Sequence, residues 1–549
     1  DISVVNATLE KISLIGSSGQ FDLTGIDISG VTGTALHIDG GTADINISGQ
    51  LQNSAVRAIA FENATSGVVD LTDLAVTDTG GQGILVSNVD ADVHFNDLAV
   101  NNSTQTGISI QGGAGTISFA GTTTIQDAAG SGVDIQNTTG DIYFENLNVD
   151  SDAQTGLSVR NASHLEIDRG KFNAINNGSA IDIQDSTIDI VLESVNVDGG
   201  PFGIRLINTP GRFFLAGDST NVGSAGLIQN TTTGLIADNV ESLTVQLADF
   251  DSNGTAISAT DLDELTVTST SITNSTAFGI DARNAQALNV STSVFTGNGS
   301  TDIRAQNDVV ASYSYNILQN TFSNNSADAI QIASLAGGEG ANLAAVVRDN
   351  SITLKGAGAT GLNVDWNGVA VVRAIHNNFI GTAANTTAID LTSNHLTALS
   401  QYFVQKNTMT FSGANATGLH VTTAGPSQTT VNENTITFNA AQGTGLRFDL
   451  AESANVAIYD NTITDNVSRG TGMLFDSLDG PSNVTIMNNS IKLLSTDGFV
   501  DQGIIFSSIT DTITLFGNES NTVIGASTVF SIPLGTSTGS FVINNFRVP

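Results

Sequence analysis

A short phrase recurs nineteen times along the 549 residues: a small residue, an apolar one, any residue, then usually a second apolar one. It reads Gly83-Ile84-Leu85-Val86, Gly107-Ile108-Ser109-Ile110, Gly132-Val133-Asp134-Ile135 and, far along the chain, Gly445-Leu446-Arg447-Phe448. From Ala35 to Gly503 its mean period is 26 residues. A fixed period of that size marks a chain built from stacked units, each touching only its neighbours, so total length sets no limit on the fold.

Each period carries short runs of alternating apolar residues, such as Ile84/Val86, Val93/Phe95 and Leu98/Val100. That alternation is the signature of strands, and no stretch shows a convincing helical period. Three strands per period predict an all-β fold, a single-stranded parallel β-helix of about 20 coils. Each strand pairs with its own copy one coil later, about 4.8 Å away. Phe95, Phe119 and Phe144 then stack inside.

Two Asn ladders support the register. The first lies five residues after the anchor, at Asn63, Asn88, Asn137, Asn161, Asn208, Asn239, Asn284 and Asn307, with Asp185, Asp261, Gly40 and Gly112 in other slots. These residue types tolerate a left-handed turn. The second heads the phrase Asn-small-apolar, at Asn320, Asn350, Asn377, Asn407, Asn434, Asn461, Asn489 and Asn521. The spacings divide the chain into a short-coil zone, residues 1–305, with coils mostly of 22–25 residues, and a continuous longer-coil zone, residues 306–549, with coils of 27–32. Gly337-Gly338-Glu339-Gly340 is an expected loop tip.

The Gly-Ile-x-Ile and Asn-Thr-Ile-Thr phrases resemble the right-handed parallel β-helix family, the pectate-lyase-like fold, over nearly the whole chain. The resemblance implies a right-handed coil. Its members include polysaccharide lyases and hydrolases, phage tailspikes, and bacterial surface and adhesin-like proteins. The family's hydrolase phrases, Asn-Thr-Asp, Asp-Asp and Gly-His-Gly, are absent, as is an Arg-Ile-Lys.

Charge and composition narrow the function. Lys and Arg number 17 against 53 Asp and Glu, a net charge of −36. Such a field repels nucleic acid and attracts divalent cations. Without Cys, neither a disulfide nor a thiolate metal site can form. No run is apolar enough for a transmembrane helix. The chain starts at Asp1 without Met and is strand-like at both ends, which reads as a processed protein or a segment of a longer one whose terminal coils join copies of itself or other surface proteins.

Enzymes of the resembling family need acids, or a base plus calcium, on an outward strand face, and basic residues here are scarce and scattered. The nearest candidates, Asp134 and Asp182, stand two coils apart, about 9.6 Å, at the outer limit for an inverting glycosidase. Asp182 beside Arg205, and Asp281 beside Arg304, read as cross-strand ion pairs. Trp366 lies among Asn363, Asp365 and Asn367, which reads as a turn residue, either packed there or exposed as a sugar platform, whereas Tyr313 and Tyr315 read as core. Asp249-Phe250-Asp251-Ser252-Asn253 opens like a calcium loop, with Asp249, Asp251 and Asn253 as ligands, but Thr260 replaces the closing Glu. Asn148, Asp150 and Asp152 form a weaker copy. Thr rows that would order ice find no column recurring in neighbouring coils. The resulting expectation is a non-enzymatic structural and adhesive rod, extracellular or at the cell surface, with calcium as the candidate ion and glycans as candidate partners. The alternative is a polysaccharide-degrading enzyme or a tailspike-like binder.

Overall fold

The computed structural model describes residues 2–5, 12–152, 154–217, 221–335, 340–494, 500–509, 511–517, 521–531 and 541–544. The loop tip at 337–339 and terminal residues 1 and 545–549 lie outside them. Among the described residues the chain forms parallel strands in about 20 turns, and no helix is long and apolar enough to cross a membrane. Contacts divide it into one unit of Asp1–Asp263 with Ser269–Ser271, and a second of Glu264–Thr268 with Ile272–Pro549.

In the first unit, Ile84, Ile108, Val133, Leu157, Ile181 and Ile204 pair in succession, so each coil adds 23 to 25 residues. The step from Ile204 to Leu235 is longer, at 31. Inward side chains are aliphatic and dry, and the Phe column is literal: Phe95 to Phe119 is 4.5 Å between ring centres and Phe119 to Phe144 is 4.2 Å, nearly coplanar. Offset stacking of this kind adds about 0.5–1.5 kcal/mol per pair beyond the area buried.

In the second unit, Ile303, Ile330, Leu362, Ile389, Leu419, Leu446 and Met473 pair in succession at 27 to 32 residues per coil. Its Phe pairs follow the same rule, with Phe448 5.0 Å from Phe475 and Phe475 4.5 Å from Phe506.

The two Asn series occupy different places. Asn63, Asn88, Asn137, Asn161, Asn208, Asn239 and Asn284 all have φ between 51° and 56°. All are exposed except the half-buried Asn284. Several tie to the coil before: Asn63 Nδ2 donates to Asp39 Oδ1 at 2.9 Å, and Asn161 Nδ2 to Asn137 Oδ1 at 3.1 Å. Asn307 departs from this series. It is fully buried and accepts a hydrogen bond from the Tyr315 hydroxyl at 2.9 Å, because an inward-turned tyrosine needs a polar partner there.

The second series is buried throughout, at 2 % exposure or less. Asn407 shows the pattern. Its Oδ1 accepts from the Asn377 backbone N–H at 2.9 Å and from Asn377 Nδ2 at 3.0 Å. Its own Nδ2 donates to the Ala374 carbonyl at 2.8 Å and to Asn434 Oδ1 at 3.0 Å. The same bonds repeat from Asn320 to Asn521. The left-handed residue is instead the one before each: Gln319, Asp349, His376, Lys406, Glu433, Asp460 and Asn488.

Candidate functional site

Outward residues of the anchor strands form columns, and the chemistry lies there. Asp134 and Asp182 are separated by Ser158, two coils apart in register. Asp182 is only 6 % exposed and is gripped from both sides. Arg205 Nε reaches Asp182 Oδ1 at 2.9 Å and its Nη2 reaches Oδ2 at 2.6 Å, while Arg160 Nη2 bonds Oδ2 from the coil before. Burial alone would raise this carboxyl, but the two guanidinium groups outweigh it and hold it below the ordinary carboxylate value. Such an acid keeps its charge and its partners; it is poorly placed to carry a proton to a substrate.

The second unit repeats the device. Arg304 makes two bonds to Asp281, at 2.8 and 2.6 Å, and its guanidinium lies 3.5 Å from the Phe278 ring centre. Arg205 lies over Phe202 in the same way, at 4.2 Å. An aromatic face below and a carboxylate beside each Arg fix it in place.

A larger cluster was legible only as a column. Asp390, His420 and Arg447 are register partners in successive coils. His420 Nδ1 lies 3.2 Å from Asp390 Oδ1, and its Nε2 lies 2.8 Å from Asp449 Oδ2. Arg447 continues the chain, 3.1 Å from Asp449 and 2.7 Å from Asp476. Burial works against charge on the ring, but the two carboxylates outweigh it and raise the His420 pKa to about 9. The six His residues look dispersed in sequence; the signal is that one sits between an Asp and an Arg in the anchor column.

Three expectations change. Trp366 is not on an exposed turn: it is fully buried, its indole N–H donates to the Ala341 carbonyl at 3.0 Å, and its ring meets Tyr313 edge-on at 5.8 Å. It extends a strand of alternating residues, so its ring joins the core beside Tyr313 and Tyr315, and no sugar can reach it. Asn253 does not join Asp249 and Asp251 as an ion ligand. The two Asp flank the buried Phe250, while Asn253 is wholly interior, its Oδ1 accepting from Thr231 N–H and hydroxyl at 3.1 and 2.7 Å. Asp249 is pushed up by burial and by Asp251. Among the described residues no three His, Asp or Glu side chains are grouped to hold a metal. Thr columns do recur: Thr360, Thr387, Thr417, Thr444 and Thr471 stand in register, as do Thr408, Thr435 and Thr462. The second column keeps an even spacing of 27 residues, and the first is broken by a single step of 30.

One groove lies on the first unit, about 240 Å³, lined by Gln126, Asn148, Asp150, Lys171, Asn173 and Asn196 among others. Asn148 Oδ1 is buried there without a partner.

These features define a parallel β-solenoid in which many of the few basic side chains bind acids of neighbouring coils, 17 Lys and Arg standing against 53 Asp and Glu. Residues 211–379 match the family model described as right handed beta helix region, and the strand ladder on both sides of that stretch has the same architecture. No curated protein and no solved structure matches the chain. The match carries the fold; chemistry has to be argued from the side chains.

Proposed function

We propose that the chain is a structural and adhesive repeat scaffold, part of an extracellular or cell-surface assembly, without catalytic activity of its own. The observation that carries this reading is the fate of the acids on the anchor strands, where Asp134 accepts from Gln136 Nε2 at 2.8 Å. Asp182, Asp281, Asp390, Asp449 and Asp476 are each bound to a basic side chain. A net charge of −36 keeps such a surface hydrated and apart from nucleic acid. Coils that end a stack offer unpaired strand edges, which suits joining to copies of the chain or to other surface proteins.

Incubation with pectins, alginate and chondroitin, followed by assays for new reducing ends and unsaturated products, tests the absence of catalysis. Turnover abolished by Asp134→Asn or Asp182→Asn would overturn it. Light scattering and electron microscopy test assembly: filaments or defined oligomers support it, and uniform monomers at all concentrations oppose it.

The tailspike-like reading, a carbohydrate binder, has one observation in its favour: the groove lined by Gln126, Asn148, Lys171 and Asn173, whose exposed surface is mostly apolar with amide and ammonium groups among it, a mix that suits a sugar ring and its hydroxyls. Glycan-array binding lost on Asn173→Ala and Lys171→Ala would move the assignment to that groove.

A further inference from the structure

In the second unit, one core column changes chemistry without changing register. Gly381, Phe411, Phe438, Asp465 and Leu493 are successive partners along an inward face. The Phe438 ring lies against Gly443, where an added Cβ would come within 2.4 Å of it. One coil later the pattern repeats with a carboxyl group in place of the ring: a Cβ on Gly470 would meet Asp465 Oδ2 at 2.0 Å. The Gly470 N–H itself donates to Asp501 Oδ1 at 2.9 Å, from the coil beyond. Two carboxyl groups therefore converge on one glycine.

Both are sealed from solvent, Asp465 at 1 % exposure and Asp501 at 0 %. Asp465 Oδ1 accepts from the Val467 N–H at 2.9 Å. The remaining oxygens, Asp465 Oδ2 and Asp501 Oδ2, are buried with no hydrogen-bond partner. Among the described residues, the charged side chains on the packed elements are Arg469, Lys492 and Asp476. The first two are exposed, and Asp476 is bound to Arg447. Two ionised carboxylates in a dry corner repel, and each pays for burial. A proton on Asp465 removes one of the two charges and turns its orphan Oδ2 from an acceptor into a hydroxyl.

We propose that Asp465 keeps its proton in the folded chain, because its sealed Oδ2 has no donor and the Asp501 carboxyl lies across Gly470, and that loss of this proton loosens the coil around Gly470. Burial, with Asp501 adding to it against the Val467 hydrogen bond, raises Asp465 from 3.8 to about 6. The folded chain thus keeps the proton to higher pH than the unfolded chain does. Local stability is greatest below 3.8 and falls as pH rises through about 6.

Hydrogen exchange by mass spectrometry on the whole chain, at pH 5 and pH 8 and normalised to intrinsic rates, reads this directly. Peptides spanning Val467–Gly470 should open roughly tenfold more at pH 8, while peptides around Asn161 should show no such excess. Asp465→Asn should abolish the pH dependence, and Asp501→Asn should reduce it. Asp465→Leu, which installs the residue type of the next coil, serves if an Asn variant folds poorly. Equal opening at both pH values, or a pH dependence that survives Asp465→Asn, would overturn the proposal. Protection restored at pH 8 by millimolar Ca²⁺ in the wild type alone would also overturn it, in favour of a metal ion at the same corner.

Discussion

The same residue does opposite work in the two units. In the first, Asn161 and its counterparts stand in solvent and supply a backbone conformation that most side chains resist. In the second, Asn407 and its counterparts have ordinary backbones and supply amides to the interior. A left-handed L-residue costs roughly 1–2 kcal/mol, less for Asn. An unsatisfied buried amide costs about 1–3 kcal/mol per group. The first ladder therefore selects for conformation and the second for hydrogen bonding. In the second unit the left-handed position lies one residue before the ladder, where Gln319, Lys406 and Glu433 adopt it alongside the more tolerant Asp349, His376, Asp460 and Asn488. The buried amide one position later offsets that strain.

Substitution should separate the two roles, and local hydrogen exchange or urea unfolding can measure them. The largest effect is expected at Asn407→Ala, which strands the Asn377 N–H and amide, the Ala374 carbonyl and the Asn434 acceptor. A loss of about 3 kcal/mol is expected, and Asn407→Gly should be no better. A loss below about 1 kcal/mol would show that the coil relaxes around the gap.

Asp182→Ala should come next, about 1–3 kcal/mol after allowing for two Arg partners that are 31 % exposed. Because Asp182 is held below 3.8, its contribution is present above that pH and is lost as acid protonates it. Asn161→Ala should cost about 1 kcal/mol and Asn161→Gly almost nothing, since glycine reaches the same turn freely. Equal losses for both would mean that the exposed Asn acts through its bond to Asn137 rather than through conformation.

His420 tests charge instead of backbone. Its pKa is raised from 6.5 to about 9, so its contribution is complete below 6.5 and disappears as pH rises through about 9. His420→Gln should flatten the melting profile over that range. The smallest effect, a gain of about 0.5–1 kcal/mol, is expected for Lys406→Gly, which relieves φ 56° without touching the amide ladder. A loss there would mean that the Lys406 side chain, 3.8 Å from Glu433, matters more than the turn.

The sequence by itself determined the architecture. Period-2 alternation within a 26-residue repeat leaves one economical solution, because every strand can pair with its own copy and every inward residue can meet its like. That logic placed Phe95, Phe119 and Phe144 in a single stack and Asp182 beside Arg205. What only the tertiary structure decided is where side chains from unequal coils meet. Trp366 was misjudged because its polar neighbours, Asp365 and Asn367, fall on the outer face and at the strand end, leaving its own inward position invisible in the linear text. Asn253 was misjudged because a ligand-like spacing says nothing about which face a residue takes after a turn. Asp390, His420 and Arg447 are legible as neighbours in the anchor column, but the bond from His420 to Asp449 and the Asp465–Asp501 corner are hidden. Each joins residues about one coil apart, and coil length varies from 22 to 32, so no fixed spacing finds them. Register is a property of the stacked strands; only once it is set does a charge acquire a neighbour.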